Sequence, residues 1–335
     1  MKSQKEKISR KKFLQVVGSA VAGGSIVGVS GVLLHKNSMR SKENTNAPAN
    51  VKKMTSPYKL VSSFSVPKHI EAFELLGKEL IVAASGNIFI YNQHGTLLNN
   101  FTIKNNLRDI GVSNARIYLL FPSHIEVYDI NGNQLHAWEA CSELSDYCSI
   151  AVDNDFVFVT DVASKNICKY TTDGNFKKFI QSPNGFVIPS YSFGITCANG
   201  TVYCSNSGRH QVESYSFDGE YLGSFGKAGG AAGMFCGCCN PVHLAYTSAG
   251  EIITSEKGNP RVSCYSADGK FRSLLLNSQD LGGGNTAYNI KISKNKLFAA
   301  GKNMISTFQY NMSPATKTAC SNCDADCPLR KGITI

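Results

Sequence analysis

Length, composition and charge limit what this chain can be. With 335 residues and a hydrophobic content of 42%, it can build a sizeable core, which excludes global disorder. Most of its net charge of +10 lies ahead of residue 58, where eleven lysines and arginines face two glutamates. The rest of the chain is close to neutral and has no basic stripe with interleaved aromatic residues, which excludes nucleic-acid binding.

The first 35 residues have the composition of an export signal. A basic stretch at 9–14 (SRKKFL) precedes an uncharged, apolar run at 16–34. The basic stretch resembles a twin-arginine motif, with Lys11 in place of the second arginine. Five glycines make the apolar run a weak bilayer span, although a membrane anchor stays open. We therefore expect residues 1–35 to engage the export machinery as a twin-arginine-like signal or membrane anchor.

Export would place the protein in the periplasm or on the outer face of the cytoplasmic membrane. No obvious cleavage site follows the apolar run, so cleavage and retention as an anchor both stay open. Residues 36–57 are polar and without periodicity, which is typical of a linker.

From residue 58 to residue 311 the chain repeats a β-rich segment that ends in tyrosine and is followed by a turn with glycine. The tyrosines are Tyr91, Tyr128, Tyr170, Tyr215 and Tyr265. Their spacings of 37 to 50 residues are typical of four-stranded propeller blades. A sixth copy, at 288–310, lacks an outer strand, and residues 58–66 are expected to supply it and so close the ring. The sequence thus predicts an all-β fold, a six-bladed β-propeller closed by an N-terminal strand; a β-sandwich is the alternative.

The fourth and fifth copies carry the clearest family resemblance. The stretch 223–235 (GSFGKAGGAAGMF), followed by Asn240-Pro241, Arg261 and Asp268-Gly269, resembles the NHL repeat. The resemblance implies an NHL-type propeller over residues 58–311, used for binding or, in some members, for catalysis. The fold does not decide between these uses.

Two groups of cysteines depart from the repeat. The first, an insertion between Phe235 and Asn240, carries Cys236, Cys238 and Cys239. The second lies in a Cys-rich tail at 312–335, where C-x2-C-x3-C-P is a shortened relative of the bacterial ferredoxin run and comprises Cys320, Cys323 and Cys327. Three tail thiolates leave one position of a four-thiolate site open, which the insertion could fill.

An iron–sulfur cluster, most simply of the 4Fe–4S type, is the leading interpretation of these cysteines. Zinc and disulfides stay open, because a thiolate set does not by itself identify its metal. The tail is expected to leave the ring on the face opposite the insertion. Nine extended residues span about 30 Å, enough to climb one blade.

Three functions follow from these alternatives. The first is an extracytoplasmic iron–sulfur propeller that acts in electron transfer with a redox partner protein. The second is a non-redox module that binds a protein or small ligand and contains disulfides or structural zinc. The third is a metal-dependent propeller enzyme, although no recognised catalytic motif is present.

The remaining cysteines are predicted to be structural. Those in predicted strands should be buried as small hydrophobes, namely Cys168, Cys197, Cys204 and Cys264. Pairing across the Asn199-Gly200 turn would place Cys197 opposite Val202, which disfavours a disulfide with Cys204. Cys141 and Cys148 share a connector and could form a disulfide or a second metal pair.

Aligned starts of the inner strands predict a site at the mouth of the central channel. The alignment places His69, Tyr191 and His243 in register, where they could bind a metal or a polar ligand. Hydrogen bonding to neighbouring blades is the alternative. Glu256, Arg261 and His210 are expected to form, with Tyr191, a polar binding face beside the Cys236 insertion. For Arg261, an interblade salt bridge is the alternative.

Overall fold

The computed structural model of the protein describes residues 56–311, which form six antiparallel sheets of four strands each. The predicted six-bladed all-β propeller is thereby confirmed. The first three blades each use four strands that are consecutive in sequence. Blade 1 consists of β2 (Ile70–Leu76), β3 (Glu79–Ala84), β4 (Asn87–Asn92) and β5 (Leu97–Thr102). Blade 2 consists of β6 (Asp109–Ser113), β7 (Arg116–Leu120), β8 (His124–Asp129) and β9 (Gln134–Glu139). Blade 3 consists of β10 (Tyr147–Val152), β11 (Phe156–Asp161), β12 (Asn166–Thr171) and β13 (Phe176–Ile180).

The last blade differs in its connectivity from the others. Blade 4 consists of β14 (Ile195–Ala198), β15 (Thr201–Asn206), β16 (Gln211–Ser216) and β17 (Tyr221–Phe225). Blade 5 consists of β18 (His243–Tyr246), β19 (Glu251–Glu256), β20 (Arg261–Ser266) and β21 (Phe271–Leu276). Blade 6 consists of β22 (Asn289–Ser293), β23 (Lys296–Gly301), β24 (Met304–Tyr310) and the N-terminal strand β1 (Tyr58–Ser65). Two short 3₁₀ turns lie at Pro189–Tyr191 and Ser207–Arg209.

The N-terminal strand closes the ring, as the sequence predicts. β1 runs antiparallel to β24, from the pair Tyr58 and Tyr310 to the pair Ser65 and Met304. Each inner strand contacts the inner strands of both neighbouring blades, and β2 contacts β22 across the closure. Because β24 would otherwise be a sheet edge, this pairing satisfies its backbone hydrogen bonds within the ring.

The core lies between blades rather than within any one of them. Six clusters of buried side chains each combine residues from two adjacent blades. Middle strands such as β3 are buried on both faces, whereas outer strands such as β5 are largely exposed. This burial explains why middle strands appear in the sequence as continuous apolar runs.

Several predictions from sequence fall outside the part of the chain that the structure describes. They concern the signal or anchor at 1–35, nearly all of the linker at 36–57 and the tail at 312–335. Within residues 56–311, no helix has the length and apolar character needed to cross a membrane.

Ring closure can be tested by two N-terminal deletions. A chain that begins at residue 67 lacks β1 and exposes the edge of β24, so we expect aggregation and loss of cooperative melting. A chain that begins at residue 56 keeps β1 and should melt as the full chain does. Circular dichroism melts and size-exclusion chromatography measure both. Cooperative melting of the shorter chain at an unchanged temperature would show that closure is dispensable.

Candidate functional site

All six inner strands begin on the same face of the ring, which we call the connector face. The connectors between blades and the turns between second and third strands lie here. The backbone shows this adjacency directly, since the Tyr147 N–H donates to the carbonyl of Pro122 at 2.9 Å. The insertion at 236–239, hereafter the Cys loop, leads into blade 5 on this face.

Side chains of blade 5 and its connector fix the backbone of the Cys loop. The N–H of Cys236 donates to Oε2 of Glu256 at 3.2 Å. The Asn240 amide nitrogen donates to the carbonyls of Cys236 at 2.6 Å and Lys257 at 2.9 Å. In return, the Lys257 N–H donates to Oδ1 of Asn240 at 2.9 Å. These hydrogen bonds therefore hold the backbone of the Cys loop in one defined conformation.

The three thiols of the Cys loop have different surroundings. Cys238 is exposed and Cys239 is buried, and their sulfur atoms lie 3.4 Å apart. Although burial opposes it, hydrogen bonds from Cys238, Lys257 and Ser190 lower the pKa of Cys239. Burial, together with the charge of Glu256, raises the pKa of Cys236. The surroundings of Cys239 therefore favour its thiolate form.

Glu256 and Arg261 do not form an exposed binding face, which corrects the sequence expectation. They are 0% and 7% exposed and form a bidentate ion pair, with N–O distances of 2.6 and 3.0 Å. Arg261 also donates to the carbonyls of Gly230 at 3.2 Å and Met234. Both charged partners belong to blade 5, so the pair is not an interblade bridge. The ion pair holds the connector between blades 4 and 5, and this connector folds over the pair and excludes solvent from it.

His210 also supports the Cys loop. It is half-buried in the left-handed region at φ 57°, and its ring Nε2 contacts the carbonyl of Gly237. On the other side of the loop, Nζ of Lys257 donates to Oγ of Ser192 at 3.0 Å. His210 therefore supports the backbone of the Cys loop.

Tyr191 joins the connectors of three blades instead of meeting the two histidines. Its hydroxyl donates to Asp146 at 2.7 Å, and its ring lies 5.1 Å from the Arg108 guanidinium carbon. Arg108 and Asp146 are themselves paired at 3.3 Å. Ser190 and Tyr191 both have φ near 55°, a region that non-glycine residues rarely adopt. Neither Arg108 nor Asp146 was predicted from the sequence.

His69 and His243 lie beside one cavity. Both line a cavity of about 740 Å³ at the channel mouth, together with Glu71 and Asn289. Burial raises the pKa of Glu71, against the opposing influence of His69. Among residues 56–311, no group of three or more His, Cys, Asp or Glu side chains is arranged to hold a metal. A metal at His69 and His243 therefore stays a prediction.

The sequence did not predict a network of charged side chains that lies inside the channel. Nζ of Lys291 lies 2.5 Å from Oε2 of Glu74. The Asp109 carboxylate accepts the N–H groups of Ile110 at 2.9 Å and Ile150 at 3.0 Å. The sequence signal for this network was a charged side chain within an otherwise apolar inner strand, as in β2 (IEAFELL) and β22 (NIKIS).

Burial controls the protonation of this network. It raises the pKa of Asp109 to about 6, against the opposing charge of Lys291. It also lowers the pKa of His243 to about 4, and the charges of Lys291 and Lys257 act in the same direction. At neutral pH His243 is therefore an uncharged imidazole.

The tail cysteines lie outside the described residues, so a site shared with the Cys loop is not tested. They are Cys320, Cys323 and Cys327. The N–H of Asn311, the last described residue, donates to the carbonyl of Pro57 at 2.8 Å. The N–H of Tyr310 donates to the carbonyl of Asn295, which lies in the turn between β22 and β23. The chain therefore leaves β24 on the face opposite the connectors, as predicted.

Comparisons with known proteins show the fold alone. No family model matches the chain, and no curated protein matches it. A catalytically inactive virginiamycin B lyase from Staphylococcus aureus, solved with quinupristin, is 13% identical; the match covers 75% of this chain and 99% of that one, with a TM-score of 0.53. A streptogramin B lyase is 12% identical over 76% and 98% of the two chains, with a TM-score of 0.54. A structure of the nidogen/laminin complex is 16% identical over 67% and 85%, with a TM-score of 0.51.

The opposite shifts of His243 and Asp109 predict a pH dependence of stability. Folding lowers the pKa of His243 from about 6.5 to about 4, so the free energy of unfolding should fall as the pH drops through this window. Folding raises the pKa of Asp109 from about 3.9 to about 6, so the contribution of Asp109 to the free energy of unfolding should rise as the pH drops. His243→Gln should therefore reduce the stability lost between pH 7.5 and 5, and Asp109→Asn should enlarge it, as measured by urea unfolding. An unchanged pH profile in His243→Gln would refute this assignment.

The buried ion pair predicts a large effect of one substitution. Arg261→Ala leaves Glu256 without its buried cation and should lower the free energy of unfolding by about 3–5 kcal/mol. The control is Lys270→Ala, because Lys270 pairs with Asp268 at 2.7 Å on the surface, and this change should have a much smaller effect. Equal effects in chemical denaturation would contradict a structural role for Arg261.

Proposed function

We propose that this protein is an extracytoplasmic propeller that holds an iron–sulfur cluster of the 4Fe–4S type at its Cys loop and exchanges electrons with a partner protein. The observation that carries the proposal is the pair of sulfur atoms of Cys238 and Cys239, 3.4 Å apart beside Lys257. Cys320, Cys323 and Cys327 would supply the other ligands. The twin-arginine-like signal at 1–35 supports the proposal, because that route exports proteins already folded around a cofactor.

The donor chemistry of the Cys loop fits a thiolate-bound cluster. Iron–sulfur clusters are held by cysteine thiolates, and the surroundings of Cys239 lower the pKa of its thiol. A 4Fe–4S cluster takes four thiolates, so the three tail cysteines need one from this loop. When bound, the cluster supplies one-electron redox chemistry.

Two sulfur atoms on a single metal lie about 3.8 Å apart when the metal–sulfur distance is about 2.3 Å and the geometry is tetrahedral. The separation of 3.4 Å between Cys238 and Cys239 is close to this value. The loop could therefore supply two ligands to one zinc ion, or one ligand to a 4Fe–4S cluster whose irons each take a single protein thiolate. Variants at the two positions separate these cases.

The residues around the loop have definable roles in this proposal. Lys257 places a cation beside Cys239 and offsets the negative charge of a thiolate, which favours a reduced centre. Glu256 and Asn240 keep the loop backbone in place through their bonds to Cys236. Because Cys238 is exposed on the connector face, a redox partner would dock on that face.

The test is the visible spectrum and the metal content of the full chain purified without oxygen. We expect a broad visible absorbance that bleaches on reduction and about four irons per chain. Cys323→Ser should remove both signals, and so should one of the two changes Cys238→Ser and Cys239→Ser. The matched control is Cys264→Ser, at a buried position within β20, which should keep the iron.

Other outcomes separate the alternatives. A colourless protein with about one zinc per chain, lost in both Cys238→Ser and Cys239→Ser, would overturn the iron–sulfur proposal in favour of structural zinc. A colourless protein without metal would point to a binding module with disulfides.

A further inference from the structure

Two thiols outside the Cys loop meet at the junction of blades 2 and 3. The sulfur atoms of Cys141, in the connector, and Cys168, in β12, lie 3.2 Å apart. Cys141 is half-buried and Cys168 is fully buried. The sequence also allows Cys148 as the partner of Cys141, but the Cys148 thiol donates to the carbonyl of Tyr191 at 3.1 Å. The structure thus brings the sulfur of Cys168, and not that of Cys148, to the Cys141 sulfur.

We propose that Cys141 and Cys168 form a disulfide that fastens the connector to blade 3. A disulfide has a sulfur–sulfur distance of about 2.05 Å, so the two sulfur atoms must approach by roughly 1 Å. Cys141 lies in a connector rather than within a strand, so its side chain can turn toward Cys168 without breaking the sheet. The Cys141 N–H already donates to the Tyr147 hydroxyl at 3.0 Å, which holds the connector at this distance.

The surroundings favour a neutral bond over a charged thiolate. Cys168 packs in an apolar cluster with Ile150, Val157 and Val159. Burial raises the pKa of Cys168 well above the ordinary thiol value. A thiolate ligand for a metal is therefore costly here, whereas an uncharged disulfide suits the site.

The chemistry balances with a disulfide oxidant such as oxidised glutathione. The half-buried Cys141, as thiolate, attacks one sulfur of the oxidant and forms a mixed disulfide, which releases the first glutathione thiolate. The Cys168 sulfur then attacks that of Cys141 and releases the second. Two protons pass from the protein thiols to the two leaving thiolates, and the oxidant takes up the two electrons that the protein loses.

The bond would also stabilise the connector face. The same connector carries Asp146, which accepts the Tyr191 hydroxyl at 2.7 Å and pairs with Arg108. A disulfide at Cys141 therefore limits movement of the element that positions Tyr191. It closes a loop whose ends are 27 residues apart, which restricts the unfolded chain.

The test is peptide mapping of the full chain after incubation with oxidised glutathione and alkylation of the remaining thiols. Trypsin and a glutamate-specific protease together should release peptide 140–143 (ACSE) bound to 166–169 (NICK). Cleavage after Glu143 separates Cys148 from Cys141, so the assignment is unambiguous. Reduction should split the linked pair.

Thermal melting gives the second measurement. The oxidised protein should melt about 5–10 °C above the reduced protein, and this difference should vanish in Cys141→Ser and Cys168→Ser. Cys264→Ser, another buried cysteine change, should keep the difference even if its melting temperatures are lower. The proposal is overturned if Cys141 and Cys168 are both recovered alkylated, if either remains bound to glutathione, or if Cys141 is linked to Cys148. Iron content plays no part in this readout, so the two proposals fail independently.

Discussion

The structure depends on closure of the ring. Each blade buries its apolar surface only against the two blades beside it, in six clusters that every blade shares with its neighbours. The sixth blade is completed by β1 on β24, so strands from the two ends of the described chain belong to one sheet. Because every inner strand begins on the connector face, closure also sets the geometry of the candidate sites there.

Buried polar side chains then give individual blades their own loop geometry. In blade 5, the ion pair of Glu256 and Arg261 holds the connector and the Cys loop. In blade 2, the Tyr128 hydroxyl instead donates to Glu126 at 2.9 Å, and blade 4 repeats this arrangement with different residues. Such groups are tolerated in the interior because their hydrogen bonds offset the cost of removing charge from water. The strands therefore repeat from blade to blade, whereas the loops differ between blades.

Cysteines in this ring occupy three kinds of environment, and the environment decides their chemistry. Cys204 is fully buried in β15, where burial raises its pKa and leaves it a small hydrophobe. Cys239 lies beside Lys257 and Ser190, whose hydrogen bonds favour its thiolate. Cys141 and Cys168 face one another in an apolar setting, which favours a bond between them. A count of cysteines could not separate these cases, because the difference lies in the neighbouring groups.

The sequence by itself determined the number of blades, the closing strand and the end of β24 on the face opposite the connectors. These features follow from local patterns, namely the recurring tyrosine and glycine turn and the missing outer strand of the last copy. It also placed Cys197 opposite Val202, a pairing that the register of β14 and β15 confirms. Only the tertiary structure decided which side chains meet. It buried the pair of Glu256 and Arg261 beneath the preceding connector, and it placed Cys168 beside Cys141, because the path of a connector follows no periodic pattern in the sequence.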